Sequence, residues 1–130
     1  MIGLDTTAII DLFNGDERLI KKINELKENI VSTMVNYQEI FFGIDFSNEN
    51  LADEEIYYDS FFDNIEVFEL SSESAKEASK ILWILRKGGD NIGNFDSMIA
   101  GIYITNGVNK IITRNTKHFS KIKNLKVISY

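Results

Sequence analysis

The sequence predicts an α/β fold organised around a central parallel sheet. Short apolar runs alternate with helical stretches along the whole chain, an order that favours parallel strands joined by helical crossovers. Two of those runs pass directly into acidic or hydroxyl residues that can open a helix, so polar side chains are expected along one edge of the sheet. At 130 residues, with 44% hydrophobic and 26% charged, the chain suits a single domain over residues 1–130 that buries its own core.

In chain order, Ile2 and Leu4 flank Gly3 in a run too short for a helix and too apolar for a surface loop, which makes it a buried strand. Thr6 and Thr7 are expected to cap the helix that follows, and Ala8, Ile9, Leu12 and Phe13 share one of its faces. Asp5 falls at the junction. It is either a helix-capping acid or part of a ligand site, because open α/β sheets bind ligands at the carboxyl ends of their strands.

Asn14-Gly15-Asp16 signals a turn, and Leu19, Ile20, Ile23 and Leu26 recur at the spacing of a second amphipathic helix. Ile30 and Val31 form a second strand that ends in Ser32 and Thr33, and a third helix runs from Met34 to about Phe46. Glu39 lies in that helix among Ile40, Phe41 and Phe42. A carboxylate beside apolar surface is costly unless a cation faces it, so Glu39 is either a ligand or one of an exposed stripe.

Residues 48–64 mix acids with Ile56, Tyr57, Tyr58, Phe61 and Phe62, more aromatic surface than one buried stripe needs; some are expected to form an interaction surface, while core packing beneath a surface helix is the expectation for any single one. Ile65 to Leu70 reads as a strand. Ser71 and Ser72 start a helix that ends in Arg86 and Lys87 before Gly88-Gly89, with Ala75, Ala78, Leu82 and Leu85 as its buried stripe. The loop Gly88 to Asn94 carries no phosphate-binding fingerprint.

Phe95 to Asn106 is the next helix, with Ile99, Ala100, Tyr103 and Ile104 turned inward. Asp96 stands in its first turn, where an acid is also favoured by the helix dipole alone. Val108 to Thr113 is a strand, Thr116 to Phe119 a single helical turn, and Leu125 to Ile128 the last strand.

Several function classes are excluded by composition. Without cysteine there is no disulfide framework, thiolate metal site or thiol nucleophile. The start MIGLDTT carries no secretory pattern and no run approaches a membrane span, so the expectation is a cytoplasmic protein without membrane contact. The net charge of -6 argues against a general nucleic-acid binder, but it averages two flanks. Ser97 to Tyr130 holds six basic residues and no acid, so the basic side can still meet a polyanion.

Asp5, Glu39 and Asp96 can converge on one sheet edge. Clustered carboxylates without cysteine suit a hard divalent cation, Mg2+ or Mn2+, and not zinc. The segments DTTAIIDLF, STMVNYQEIFFGI and IGNFDSMIAGIYITNGVNKIITRNTKHFSKI, in that order, resemble the PIN-domain ribonucleases and most closely their VapC-type toxins. The resemblance spans nearly the whole chain. It implies a three-layer α/β/α sandwich and a metal-dependent endoribonuclease that hydrolyses RNA with a metal-activated water.

By that resemblance Asp5, Glu39 and Asp96 match the family's metal-binding acids, with Asp5 and Asp96 holding the ion and Glu39 ligating it through water or taking the proton. Thr113 matches the threonine at the end of the fourth strand. Asn115 stands where many members carry a fourth acid, which bears on whether one or two ions bind. Asn94 replaces a usual proline before the third acid, while the aromatic Phe95 is kept.

Arg114, Lys117 and Lys121 are the candidate RNA contacts, or ordinary surface charge. His118, the only histidine, has no evident partner and is read as structural. The resemblance also implies a homodimer and a cognate antitoxin protein. The acidic stretch from Glu28 to Glu73, with Tyr57, Tyr58, Phe61, Phe62 and Trp83, is the candidate surface for either.

Three other readings compete. A phosphotransfer or receiver domain also places an Asp after its first strand, but the second acid expected two residues later is Thr7 here. A PIN nuclease working outside a toxin pair, and a catalytically degenerate PIN binding module supported only by Asn115, are the alternatives within the family.

Overall fold

Five short strands, β1 (Ile2–Leu4), β2 (Ile30–Thr33), β3 (Glu66–Phe68), β4 (Lys110–Ile112) and β5 (Lys126–Ile128), form one sheet in the order β3-β2-β1-β4-β5, every pair parallel. The structure is a computed structural model and describes residues 1–130, apart from the side chain of Ala52. Seven helices surround the sheet: α1 (Thr6–Phe13), α2 (Glu17–Leu26), α3 (Met34–Phe42), α4 (Ala52–Asp63), α5 (Ser72–Lys87), α6 (Asn94–Thr105) and α7 (Thr116–Phe119).

Strand alternation divides the core into two layers. Ile2, Leu4 and Ile112 face a cluster with Ala8, Ile9, Leu19, Ile40 and Phe62. Val31 and Ile111 face the opposite cluster, with Ile81, Leu85, Ile99, Ile102 and Tyr103. The result is the expected α/β/α sandwich. Helix α3 serves both layers, with Val35 on one side and Ile40 on the other.

Two glycines are required by close approach. A Cβ on Gly3 would lie 2.5 Å from the ring of Tyr103, which packs flat against β1 from α6. A Cβ on Gly101 would lie 2.7 Å from both Ala78 N and Ser74 O, so bare backbone is what lets α6 seat against α5. The buried stripe of α5 is accordingly Ser74, Ala78, Ile81 and Leu85, with Ala75 and Leu82 at its margins. Ser74 is buried despite its hydroxyl because it closes a capping box with Ser71.

The expected elements are present with shifted ends. The third helix stops at Phe42, short of Phe46, because Gly43 caps it and the Asp45 carboxylate, accepting from Ser47 N and Oγ, turns the chain away. The sixth helix spans Asn94–Thr105 where Phe95 to Asn106 was expected. The strands expected over Ile65–Leu70, Val108–Thr113 and Leu125–Ile128 pair over only three residues each. Residues 52–63 form a full helix, α4.

Among the described residues no helix is long and apolar enough to cross a membrane. Gly101→Ala is expected to lower the unfolding free energy by about 1–3 kcal/mol, since two backbone atoms of α5 must move, and urea denaturation followed by circular dichroism measures it.

Candidate active site

The strand order places the topological switch point between β1 and β4: from β1 the chain winds outward through β2 and β3, then returns to build β4 and β5 on the other side. Crevices at the carboxyl ends of such strands are where α/β sheets bind ligands. Asp5 follows β1 and Thr113 follows β4, so the two meet across this crevice. Thr113 Oγ1 donates to Asp5 Oδ2 at 2.7 Å.

Asp5 is both a cap and a site acid. Its Oδ1 accepts from Thr6 N at 2.8 Å, which makes Asp5 the N-cap of α1 in place of the threonines. Thr7 Oγ1 donates to Asp5 Oδ2 at 2.9 Å, and Thr113 Oγ1 in turn accepts from Asn115 N at 2.9 Å. Asp5 is buried, at 3% exposure, and the hydroxyls of Thr7 and Thr113 both donate to its Oδ2.

Glu39 is held from the same loop. Thr6 Oγ1 donates to Glu39 Oε1 at 2.8 Å and accepts from Asn36 Nδ2 at 3.0 Å. Asn36 is fully buried one turn before Glu39, and its Oδ1 accepts from Thr33 N and Thr33 Oγ1. Nothing in the sequence analysis singled out Asn36 or gave the threonines this task. The available signal was Thr33 three residues before Asn36, the spacing of a capping box.

Asp96, in the first turn of α6, completes the group. Its Oδ2 lies 2.8 Å from His118 Nδ1 on α7. His118 therefore does have a partner, an acid 22 residues away that only the fold brings near.

Burial, then the charge of Asp5, holds the Asp96 carboxyl above its ordinary range, while His118 pulls it down. Burial also raises Glu39, with Asp5 and Asp96 adding to the rise and the Thr6 hydroxyl opposing it. These couplings bring the three expected acids into one electrostatic site. Among the described residues no three carboxylate or imidazole groups close around one point tightly enough to cage an ion by themselves. The donor chemistry suits a hard cation that keeps several waters, as Mg2+ does, since the buried Asp5 and the half-buried Glu39 and Asp96 are like charges that oppose each other without one.

The remaining expected residues divide. Asn115 is exposed beside Thr113 and joins the site through its backbone. Arg114 reaches back to α1, with Nε 3.2 Å from Asp11 Oδ2. Asp11 is buried and also accepts from Tyr130 Oη at 2.6 Å. Lys121 pairs with Asp90. Lys117 is exposed and has no acid partner among the described residues.

The aromatic surface expected over residues 57–62 is largely internal. Phe62 is buried, and Tyr58 and Phe61 pack on Phe13 with ring centroids 4.2 and 5.5 Å away. Tyr57 and Trp83 remain exposed.

The raised acids set a pH dependence. A carboxyl whose pKa is higher in the fold than in the unfolded chain favours folding when protonated, and that stability is lost as pH rises through the folded value. Glu39→Gln keeps an acceptor for Thr6 and removes the charge. In EDTA it is expected to be more stable than the parent at pH 7 and equal to it below the ordinary glutamate range, read from urea midpoints at both pH values.

The chain has recognisable relatives. The family pattern of the PIN domain matches residues 2–125. The tRNA(fMet)-specific endonuclease VapC of Salmonella typhimurium is 26% identical over 128 residues, covering 95% of this chain and 93% of that protein. The crystal structure of VapBC2 from Rickettsia felis, bound to a promoter DNA fragment, superposes with a TM-score of 0.85 at 22% identity, covering 100% of this chain and 99% of that one. VapBC-1 from nontypeable Haemophilus influenzae superposes with a TM-score of 0.82 at 26% identity, covering 99% and 98%. With 124 consecutive residues inside the family pattern, the chain belongs to the PIN domain family.

Proposed function

We propose that the chain is a Mg2+- or Mn2+-dependent endoribonuclease and the toxin of a VapBC-type pair, working in the cytoplasm as a homodimer and neutralised by an antitoxin protein. The observation that carries this reading is the placing of Asp5 at the switch point, aimed by hydroxyls of Thr113 after β4 and Thr7 in the first turn of α1, with Glu39 tied to the same loop through Thr6 and Asp96 close enough to act on both electrostatically. The relatives support the toxin assignment, since two of them are crystallised as VapBC and a third is an endonuclease acting on tRNA.

Asp5 and Asp96 are the carboxylates that would hold the ion, with Glu39 reaching it through water. A divalent ion supplies charge neutralisation at the scissile phosphate and a lowered pKa for the attacking water. The chain itself supplies orientation and proton transfer. Thr7 and Thr113 fix Asp5 Oδ2, so its direction costs no reorganisation when substrate arrives. Thr6 holds Glu39 Oε1 in place, where this carboxylate can take the proton of the attacking water. The exposed amide of Asn115 contacts the phosphate or ribose without adding charge, and Lys117 meets the phosphate backbone, with the outer parts of Arg114 and Lys121 beside it.

Cleavage of a mixed RNA pool tests the reading. The purified protein should cut with Mn2+ and not with EDTA, and Asp96→Asn should cut about a hundredfold more slowly or worse while keeping its circular dichroism spectrum. Asp5→Asn should do the same, because asparagine still caps α1. A folded Asp96→Asn variant that cuts normally overturns the assignment. Lys117→Ala should weaken RNA binding at every sequence alike and lower the slope of log K against log salt by about one unit.

A further inference from the structure

Asp11, on α1, is a buried acid that the hydrolysis above does not use; only 8% of its surface is exposed. Its Oδ2 has two partners. Tyr130 Oη, after β5, donates to it at 2.6 Å, and Arg114 Nε, after β4, lies 3.2 Å away. Burial, and then Asp11 beside it, holds the Tyr130 hydroxyl above its ordinary range, so it remains a donor and fixes the direction of that oxygen. Arg18 also feels the charge of Asp11, but its Nε and Nη2 donate to the carboxylate of Asp16. Asp11 is left to Arg114.

The backbone of Arg114 is already at the site. Its N–H donates to Thr7 Oγ1 at 3.4 Å, and Thr7 Oγ1 donates to Asp5 Oδ2 at 2.9 Å, so Arg114 stands two hydrogen bonds from that carboxylate. Its side chain is 57% exposed. A guanidinium is a planar fork, and one that meets a carboxylate through Nε keeps the nitrogens of its tip, Nη1 and Nη2, for a second anion.

We propose that Asp11 and Tyr130 are positioning residues that hold Arg114 as a preset fork for an RNA phosphate beside the Asp5 carboxylate. The inference rests on the nuclease reading above and adds the two residues that aim one of its phosphate contacts. A free arginine gives up rotamer freedom when it meets a phosphate, and one already held gives up less. Asp11 is itself negative, so the two roles open to it differ in sign. Beside an ordinary surface arginine, removing the acid strengthens attraction to a polyanion; where the acid aims the fork, removing it weakens binding.

The test uses the full chain and a fluorescein-labelled single-stranded RNA of mixed sequence, with anisotropy in EDTA as the readout. Arg114→Ala is expected to raise Kd about tenfold, Asp11→Asn about fivefold and Tyr130→Phe about threefold. In the Arg114→Ala background Asp11→Asn should leave Kd unchanged or lower it, since no fork is left to aim. Arg114→Ala should lower the slope of log K against log salt by about one unit, while Asp11→Asn keeps the parent's slope, because its phosphate contact is misaimed and not lost. In Mn2+, Asp11→Asn should raise KM more than it lowers kcat.

A folded Asp11→Asn variant that binds RNA as tightly as the parent, or more tightly, overturns the positioning role. So does an equal loss in the parent and Arg114→Ala backgrounds, because Asp11 then serves the fold and not the arginine. If circular dichroism shows Asp11→Asn to be unfolded, Tyr130→Phe, which keeps both the ring and the acid, decides by the same two comparisons. A parent protein that binds RNA but cuts nothing with Mn2+ overturns the nuclease reading and leaves the fork to be judged by Kd. A parent that binds no RNA in either EDTA or Mn2+ overturns both.

Discussion

The hydrogen bond from Thr113 Oγ1 to Asp5 Oδ2 joins the two strand ends at which the strand order reverses, and the rest of the site is arranged around it. Because β1 and β4 are parallel neighbours, their carboxyl ends emerge side by side, and a hydroxyl after one reaches an acid after the other. The same acid caps α1 through Thr6 N. One carboxylate thus starts a helix, closes the crevice and contributes charge to the site. Replacing it with an apolar residue would remove all three contributions together.

Behind that edge the interior is polar yet fully paired. The hydroxyl of Tyr103, which has no exposure, donates to Leu4 O at 2.6 Å, directly before Asp5, and lies 3.2 Å from Val31 O. Asn36 extends the network to Thr6 and so to Glu39. Among the described residues no buried side-chain nitrogen or oxygen lacks a partner. Since an unpaired buried polar group costs about 1–3 kcal/mol, this pairing makes the positions of Asp5 and Glu39 a property of the core and not of a mobile loop.

Charge is distributed to the same end. Glu28 pairs with Lys110 and the N-terminal amine near the start of β1 and β4, away from the acids. Around the site the basic side chains of Arg114 and Lys121 are tied to Asp11 and Asp90, and His118 alone touches a site acid. Burial raises Glu39 and Asp96, the uncompensated charge of Asp5 adds to the rise, and the crevice is thereby made attractive to a cation.

Much of this was legible in the chain. Period-2 and helical patterns determined the α/β class and the order of the elements, because they report which faces must leave water. The position of Asp5 after Ile2–Leu4, and of Asp96 after a glycine-rich loop, marked both as junction acids. Strand lengths were overestimated, because apolar character continues past the last ladder hydrogen bond at residues such as Val108 and Leu125. The inward packing of Tyr58 and Phe61 agrees with the expectation for single aromatics of this stretch, but which of them turn inward was not legible, because α4 has no clean apolar stripe, only aromatics that find partners on α1 and α3.

The sequence by itself determined the fold class and the placing of Asp5 and Asp96 at helix starts, which follow from local pattern. Only the tertiary structure decided the pairings: His118 with Asp96, Arg114 and Tyr130 with Asp11, Thr113 with Asp5, Phe42 with Phe95. Each joins residues 22 to 119 positions apart, and no local preference specifies such a distance. It is set by which strand lies beside which, and that follows from packing both faces of one sheet at once.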